Sequence, residues 1–382
     1  MAGYNPPQVE TRRRRWVGPV SIAELAACIG ALVCAFAPLP SAILEQHYSI
    51  GFYPQLQHSI TPLSNQLPFA ILDVLLVGLT VATIVTLTQA IRDAWHTRTA
   101  ARILRTLAHF AAMGAVLYIL FLLLWGFNYR RLLMPARLAL DRVAPSTEDV
   151  VQLGLKAIDE MNRLYAAAHT GPPFGPEWRN TDLRAAFAEV QRALSDAPPA
   201  EPGRLKRSLL GPYFRWAGVD GMVNPFGLEV LVNPDLLPFE RPFVAAHEWG
   251  HLAGYATEAD ANFVGWLTCV RASPAAQYSG WFYLYWQIGG EVNARDRERL
   301  DAALERGPRE DINAVIARLR RNEIPALQRA SWKIYDQYLK ANRVEAGVRS
   351  YGEVVNLILR ARFEEGWTPV RRGGPPSPSR EP

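Results

Sequence analysis

Cysteine is scarce in this chain, with three copies among 382 residues. Cys28 and Cys34 lie inside an apolar run near the N-terminus, and Cys269 lies in a stretch that predicts a helix. A disulfide framework or a thiolate metal site requires more cysteines at closer and more regular spacings. Both kinds of site are therefore excluded, and we interpret the three thiols as buried apolar side chains.

Lysine and arginine are absent from residues 40–68, although the formal net charge of the chain is +5. Basic residues instead flank long apolar runs, at residues 12–15 and at four arginines between residues 92 and 105. Basic clusters at the ends of apolar runs indicate membrane topology rather than nucleic-acid binding. We therefore expect the lipid bilayer to be a partner and nucleic acid not to be one.

Three apolar segments are long enough to cross a bilayer core, which takes about 20 residues of helix. They cover about residues 17–39, 69–91 and 106–127, so that residues 17–127 form a predicted membrane domain. The first segment is too long for a cleaved signal sequence and is interpreted as a retained anchor.

The distribution of arginine predicts the orientation of these spans. By the positive-inside rule, the basic N-terminus (1–16) and the loop after the second span are cytoplasmic. Everything after the third span is then extracytoplasmic. Arg130, Arg131 and Arg137 follow the third span and count against this orientation, but two other loops outweigh them.

The rest of the chain, residues 128–365, reads as a mostly helical domain with a small β element. Helical periodicity begins near Ser146 and recurs over residues 182–195 and 351–365. Residues 227–234 alternate well enough to be a short strand that ends at a proline. Residues 366–382 are rich in Pro, Gly, Ser and Arg and are predicted to be a disordered tail.

The most informative motif is the pentad His247-Glu248-Trp249-Gly250-His251. Residues i and i+4 share one face of a helix, so the two imidazoles can bind one metal ion. Glu248 lies between them, where its carboxylate can act as general base toward a zinc-activated water. The chain has only seven histidines, so such a pairing is improbable by chance.

A second helix is predicted just after the pentad. Gly254 offers a left-handed end to the first helix, and Thr257 with Asp260 forms a capping-box pattern for the next one. Glu258 then lies at the start of the second helix, and we predict it as the third metal ligand. Glu291, farther downstream, is the rival third ligand.

Two further features would complete this site. Asn262 shares a helical face with Glu258, and its amide is predicted to orient a ligand from behind. The predicted strand at residues 228–232 precedes the site helix and is expected to offer an edge for an extended peptide. Tyr255 and Tyr351 are possible donors to an oxyanion, although each is more often a packing residue.

These motifs resemble those of known families. His247-Glu248-x-x-His251 with Glu258-x-x-Ala261-Asn262 resembles the gluzincin metallopeptidases, including the membrane-bound CAAX-prenyl-protease and heat-shock-protease group. The shorter gap before Glu258, and Asn262 where that group usually has Asp, argue against membership in it.

A closer likeness covers nearly the whole chain. The chain is similar to a bacterial family of three-span membrane proteins of unknown function, which combine W-G-x-N-Y, H-E-x-x-H and E-A-N-F elements. Their counterparts here are residues 125–129, the pentad, and Ala261-Asn262-Phe263 after Glu258, and residues 350–355 also fit. The resemblance implies a gluzincin-like zinc domain tethered to the bacterial cytoplasmic (inner) membrane.

The sequence as a whole therefore predicts a mainly α, multi-pass membrane protein that acts as a zinc metallopeptidase. Zn²⁺ is the expected cofactor, a peptide or protein the expected substrate, and endopeptidase action the expected mode. Two alternatives remain open. One is a non-catalytic membrane sensor or assembly protein with a structural zinc site, and the other is a zinc hydrolase of a non-peptide cell-wall amide.

Overall fold

A computed structural model describes residues 22–97, 100–170, 179–322, 324–344 and 353–372. The fold is mainly helical with two small sheets, as the sequence predicts. The described helices are α1 (Ile22–Phe36), α2 (Ser41–Leu44), α3 (Tyr53–Gln66), α4 (Ile71–Thr97), α5 (Ala100–Leu124), α6 (Met134–Arg137), α7 (Thr147–Thr170), α8 (Thr181–Leu194), α9 (Gly211–Ala217), α10 (Arg241–Leu252), α11 (Glu258–Val270), α12 (Pro274–Glu291), α13 (Ala294–Ala303), α14 (Arg306–Asn322), α15 (Pro325–Ala341) and α16 (Glu353–Arg360). The strands are β1 (Leu205–Lys206), β2 (Gly221–Asn224), β3 (Glu229–Val232), β4 (Phe363–Glu364) and β5 (Thr368–Pro369).

Two helical segments are long and apolar enough to cross a membrane, Ile71–Arg92 in α4 and Leu104–Leu124 in α5. They correspond to the second and third predicted spans. The first predicted span differs, because α1 has only 15 residues and passes the same test only together with Ser41–Gln66 as a broken helix pair. Residues 17–21 lie outside the described residues. Two or three helices could therefore cross a bilayer.

The chain divides into two compact units that do not follow the predicted domain boundaries. The first comprises residues 1–38 and 77–120, and the second comprises residues 39–76 and 121–382. The predicted membrane domain of residues 17–127 therefore contributes residues 39–76 to the second unit. The sequence treated that stretch as a loop and the start of a span.

Buried polar contacts explain why residues 39–76 fold with the second unit. The Tyr53 hydroxyl donates to the Leu252 carbonyl at 2.8 Å, and the Thr61 hydroxyl donates to the Leu228 carbonyl at 2.9 Å. Gln57 is fully buried and exchanges two hydrogen bonds with the backbone of Glu201. Uncharged polar residues of this kind give no hydropathy signal, so the sequence did not reveal their burial.

Large aromatic side chains form much of the core of the second unit. In it, α12 packs on α7, and α11 packs on α8, α10 and α12. Trp249 and Trp266 are fully buried, and the Trp249 indole donates to the Gly203 carbonyl at 2.8 Å. This hydrogen bond satisfies the one polar atom of the Trp249 ring, which would otherwise be buried without a partner.

The three-stranded sheet has the order β1-β3-β2, with β3 parallel to β1 and antiparallel to β2. All four residues of β3 are buried, and both of its edges are paired. The expectation that residues 228–232 offer an edge to a peptide is therefore wrong, because β3 is buried and lies between β1 and β2 rather than at an edge of the sheet. The two edge strands of this sheet are β1 and β2.

Glu229 of β3 joins this sheet to the start of α4. Its buried carboxylate accepts hydrogen bonds from Lys206 Nζ at 2.8 Å and from the backbone N–H groups of Ile71 and Leu72 at 3.0 and 2.9 Å. Burial alone would raise the pKa of Glu229, but Lys206 and these donors hold it below its usual value. A carboxylate at this position satisfies otherwise unpaired N–H groups of the helix and favours its dipole.

Residues 366–372 differ from the predicted disordered tail. Strands β4 and β5 pair as a hairpin, and the Trp367 ring packs on Trp266 with centroids 5.0 Å apart. Trp367 supplies apolar surface for packing. The Gly, Pro and Arg residues that dominate this end of the chain do not. The remainder of the predicted tail, residues 373–382, lies outside the described residues.

We expect the Glu229→Gln substitution to lower the free energy of unfolding by about 3 kcal/mol, because it leaves the buried Lys206 without a counter-charge. The matched control is Glu201→Gln, since the Arg184–Glu201 pair is 33% exposed on both sides and should contribute less than about 1 kcal/mol. Thermal unfolding of the full chain in detergent measures both. Equal midpoints for the two variants would contradict the assigned role of Glu229.

Candidate metal site

Helix α10 ends where the sequence predicts. Gly254 adopts a left-handed φ of +82°, and the N–H of Tyr255 donates to the Gly250 carbonyl at 3.1 Å. This backbone conformation strongly favours glycine, because a Cβ there would be strained. The chain thereby reverses within a few residues and begins α11 beside the end of α10.

Helix α11 begins at Glu258 with Thr257 as its N-cap. The Thr257 hydroxyl accepts a hydrogen bond from the Asp260 N–H at 3.2 Å, which confirms the forward half of the predicted capping box. The Asp260 carboxylate, however, accepts from the Met134 N–H at 3.3 Å. The Asp260 carboxylate therefore also connects α11 to the segment that follows α5. The capping-box pattern did not predict this contact.

Helices α10 and α11 cross closely because glycine lies at the contact on each of them. A Cβ added to Gly265 would lie 3.0 Å from the backbone nitrogen of His247, and one added to Gly250 would lie 3.3 Å from the Ala261 Cα. The position of Gly250 at this crossing leaves no room for a larger side chain. The short distance between the helices brings Glu258 within reach of both histidines.

The structure brings His247, His251 and Glu258 together. One nitrogen or oxygen atom from each lies within 4.8 Å of the others, and among the described residues no other group of His, Cys, Asp or Glu does this. His247 Nε2 is 3.4 Å from Glu258 Oε2, and His251 Nε2 is 3.8 Å from Glu258 Oε1. Glu291 is exposed at the end of α12 and is not part of this group.

The tautomer of His251 follows from its hydrogen bond. His251 Nδ1 lies 2.8 Å from the Tyr255 carbonyl oxygen, which can only accept, so Nδ1 carries the hydrogen. In the neutral ring, Nε2 then has a free lone pair directed toward Glu258. This is the arrangement in which a histidine binds a metal while its other nitrogen is held by the protein.

The charge states within the group depend on burial and on Glu258. Burial and the neighbouring His251 lower the pKa of His247 to about 4, so this ring is neutral at pH 7. Burial also opposes a charge on His251, but the Glu258 carboxylate outweighs it and raises the pKa of His251. Glu258 itself stays ionised, because both histidines and Tyr335 counter the effect of its burial. A cation bound here would take the place of the proton on His251.

Glu248 is 2% exposed, and its Oε2 atom has no hydrogen-bond partner in the described part of the chain. Burial raises the pKa of Glu248 to about 8, and the charges of Glu258 and Asp220 add to the rise. Strand β2 passes directly beside Glu248. A Cβ added to Gly221 would lie only 2.6 Å from Glu248 Oε1. A glycine at residue 221 therefore leaves room for this carboxylate.

Asn262, predicted to support the site, is 1% exposed. The Asn262 side chain raises the pKa of His247, which indicates that it lies beside that ring. Among the described residues, neither Asn262 Nδ2 nor His247 Nδ1 has a hydrogen bond of normal geometry. Both atoms are buried, so each is costly unless a partner satisfies it.

Two tyrosines near the site were not found from the sequence. The Tyr335 hydroxyl, on α15, donates to Glu258 Oε1. Tyr283, on α12, stacks on Phe243 with centroids 3.6 Å apart, and its buried hydroxyl has no partner among the described residues. Burial raises the pKa of Tyr283 well above its usual value, with added contributions from Glu258 and Asp220. Both lie in helices without a motif, so only the fold brings them close.

The predicted oxyanion donors have other positions. Tyr255 is 2% exposed, and its ring packs under the guanidinium groups of Arg131 and Arg137 at 4.8 and 5.5 Å. These contacts agree with a packing role. Tyr351 lies outside the described residues.

The W-G-F-N-Y element at residues 125–129 contacts the end of the site helix. The Trp125 indole donates to the His251 carbonyl at 2.9 Å, and Arg131 Nη1 donates to the Gly254 carbonyl at 2.9 Å. Arg131 also forms two hydrogen bonds with Glu45, at 3.0 and 2.7 Å. These contacts satisfy carbonyls that the last turn of α10 would otherwise leave unpaired.

Comparison with known families gives one match. The family described as protein of unknown function (DUF3810) matches residues 48–359, which is most of the chain, so the chain belongs to this family. Comparison with curated proteins and with solved structures gives no match. The predicted membership in a family of unknown function is thus confirmed, and the zinc-peptidase part stays a prediction.

We expect Gly265→Ala to lower the free energy of unfolding by about 1–3 kcal/mol, because its Cβ would press on backbone atoms that cannot rotate away. The matched control is Gly290→Ala in α12, where no atom lies within 4 Å of the added Cβ. That control should be neutral or stabilising by up to about 1 kcal/mol. Unfolding of the full chain in detergent compares them, and a neutral Gly265→Ala would rule out a tight crossing.

Proposed function

We propose that this protein is a membrane-anchored zinc metallopeptidase of the gluzincin-like kind. The observation that carries the proposal is the group formed by His247, His251 and Glu258, with Glu248 buried on the same helix as the two histidines. A structural ion pair would not need two imidazoles and a carboxylate whose ligand atoms converge. A hydrolytic zinc site needs this set together with a nearby base.

The residues fit the chemistry of zinc. Neutral imidazole nitrogen and carboxylate oxygen are common zinc ligands, and a tetrahedral ion holds its ligand atoms roughly 3.4 Å apart. The separation of His247 Nε2 and Glu258 Oε2 is 3.4 Å, and that of His251 Nε2 and Glu258 Oε1 is 3.8 Å. Glu258 Oε2 is also a buried atom without a hydrogen bond within the described residues. Such an atom is costly unless a cation or donor binds it.

Zinc bound to these three residues would supply a Lewis acid that acidifies water and polarises a carbonyl group. Glu248 would accept the proton from the attacking water and pass it to the leaving amine. Its pKa near 8 suits it to both accepting and donating a proton at neutral pH. The Tyr255 carbonyl would keep His251 in the tautomer that binds metal.

Tyr283 is our candidate for the group that stabilises charge on the substrate oxygen. Its hydroxyl is buried without a partner in the described region, and it interacts electrostatically with Glu258. An unpaired donor in a buried site is costly unless another molecule receives its hydrogen bond. Tyr335 already donates to Glu258 and is assigned to holding that carboxylate in place.

The position of β2 favours an extended polypeptide as substrate. Its pairing with β3 uses one edge, and Gly221 at its start lies against Glu248. A peptide that adds as a further strand along β2 would run past the proposed base. Strand β2 therefore replaces residues 228–232 as the proposed binding edge.

The topology of the second unit agrees with an extracytoplasmic domain in a bacterial inner membrane. Segments Ile71–Arg92 and Leu104–Leu124 separate residues 39–70 from the residues after 124, yet both stretches belong to one unit. Two crossings return a chain to the same side. The lack of Lys and Arg in residues 40–68 favours the outer side for both.

The three arginines that counted against this orientation have protein partners. Arg131 binds Glu45, Arg137 donates to the Leu194 carbonyl at 2.7 Å, and Arg130 is 8% exposed. Arginines that are buried or half-buried and fixed by the fold are not free juxtamembrane charges. Their position therefore weighs little in the orientation.

Two other functions remain as alternatives. A non-catalytic sensor or assembly protein with a structural zinc site would have no use for the buried, unpaired Glu248. A hydrolase of a cell-wall amide would use the same residues, but the strand edge beside Glu248 favours a peptide.

The first test of this proposal separates metal binding from hydrolysis. We expect His251→Ala to lose zinc, and Glu248→Gln to keep about one zinc per chain while losing roughly 10³-fold in turnover. Elemental analysis of the full chain and hydrolysis of a fluorogenic peptide library are the measurements. Glu291→Gln, at the exposed rival ligand, is the control and should change neither quantity. Zinc-free wild-type protein would disprove the metal site.

A second test addresses Tyr283. We expect Tyr283→Phe to reduce kcat by about 10²-fold with little change in KM, because its hydroxyl would bind the substrate oxygen chiefly in the transition state. Zinc content and unfolding temperature should match the wild type. The control is Tyr285→Phe, two residues along the same helix, because the Tyr285 hydroxyl donates its hydrogen bond to Asp301. Unchanged kcat in Tyr283→Phe would remove this residue from the mechanism.

A further inference from the structure

Helix α15 is the least buried of the long helices around the site. Only Leu339 is buried among its 17 residues. Ile334 is 67% exposed, Trp332 is 40% exposed and Tyr338 is 36% exposed. A helix of this kind buries little apolar surface against its own domain. We therefore expect its exposed apolar side chains to contact another surface.

Helix α9 and Leu209, two residues before it, extend this apolar surface. Leu209 is 68% exposed, Trp216 is 43% exposed and Tyr213 is 36% exposed. The two elements are joined, because the Ile324 N–H just before α15 donates to the Trp216 carbonyl at 3.1 Å. We call the six side chains Leu209, Tyr213, Trp216, Trp332, Ile334 and Tyr338 the apolar collar.

One side of the apolar collar is fixed to the first turn of the α4 span. The Leu209 N–H donates to the Asp73 carboxylate at 3.0 Å, and the Ser208 hydroxyl donates to the same group at 2.5 Å. Phe214 of α9 is fully buried in a cluster with Ala70, against which Leu72 packs. Leu209 therefore lies next to the residues at which this span begins.

The other side of the apolar collar meets the last turn of the α5 span. The Tyr338 ring packs on Phe121 with centroids 6.3 Å apart and on Tyr129 with centroids 5.9 Å apart. Phe121 belongs to the segment Leu104–Leu124. Two separate elements thus carry exposed aromatic and aliphatic side chains to the ends of two different candidate spans.

We infer that the apolar collar rests in the headgroup region of the bilayer that α4 and α5 cross. Aromatic side chains are enriched at this depth, and amphipathic helices bury their apolar face there by roughly 5–10 Å. Exposed basic residues at Arg329 and Lys333 of α15 suit contact with lipid phosphates. The inference rests on the proposed membrane crossing, and it does not depend on the proposed zinc chemistry.

This placement also narrows the substrate class. Tyr335 lies on α15 between collar residues and donates to Glu258, so the helix that touches the bilayer also touches the proposed metal site. A polypeptide reaching that site would do so next to the membrane surface. This step, unlike the placement of the apolar collar, rests on the proposed peptidase activity: the favoured substrate is a chain that is itself attached to the membrane, with its scissile bond close to the attachment.

The test measures the depth of single sites in the bilayer. A full-length chain without its three native cysteines (Cys28→Ser, Cys34→Ser, Cys269→Ala) receives one cysteine at Leu209, Ile334, Val81 or Val143. Each variant carries a nitroxide label in vesicles of phosphatidylglycerol and phosphatidylcholine. Val143, 81% exposed in a loop, is the matched control for apolar exposure, and Val81 in α4 reports the membrane crossing.

We expect the labels at Leu209 and Ile334 to collide with oxygen at least about threefold more, relative to a water-soluble nickel complex, than the label at Val143. If Val81 lies in lipid while Leu209 and Ile334 behave like Val143, the apolar collar is not at the bilayer. If Val81 itself is aqueous, the membrane crossing and this inference both fail. Zinc content of the same samples reports separately on the proposed metal site.

Discussion

The crossing of α10 and α11 at Gly250 and Gly265 is the contact on which the proposed site depends. Glu258 comes from a different helix than the two histidines, so its carboxylate reaches them only when the helix backbones nearly touch. Side chains larger than hydrogen at either glycine would separate the helices by tenths of an ångström or more. Gly254 completes the arrangement. Its left-handed conformation turns the chain sharply, so that α11 begins beside the point where α10 ends.

The end of α10 is held from outside by segments distant in sequence. Tyr53 and Trp125 each donate to a carbonyl in its last turn, and Arg131 donates to the Gly254 carbonyl. The histidine positions are thus fixed by residues that flank the candidate spans. A fragment limited to residues 128–365 would lack Tyr53 and Trp125, so measurements of metal content require the full chain.

The sequence predicted the parts of this structure that depend on local patterns. The apolar segments of α4 and α5, the helix end at Gly254 and the Thr257 cap follow from short-range chemistry. The burial of residues 39–76 was missed, because Gln57 and Thr61 are polar and become buried only through partners more than 100 residues away. Tyr283 and Tyr335 were missed for the same reason, since no fixed spacing connects them to the pentad.

The division of the second unit between residues 39–76 and residues from 121 onward has a consequence for biosynthesis. A growing chain must emerge past both candidate spans before Tyr53 can meet Leu252 or Glu229 can meet the start of α4. The fold around the histidines therefore cannot close until the chain beyond Leu252 has been made, well after both candidate spans.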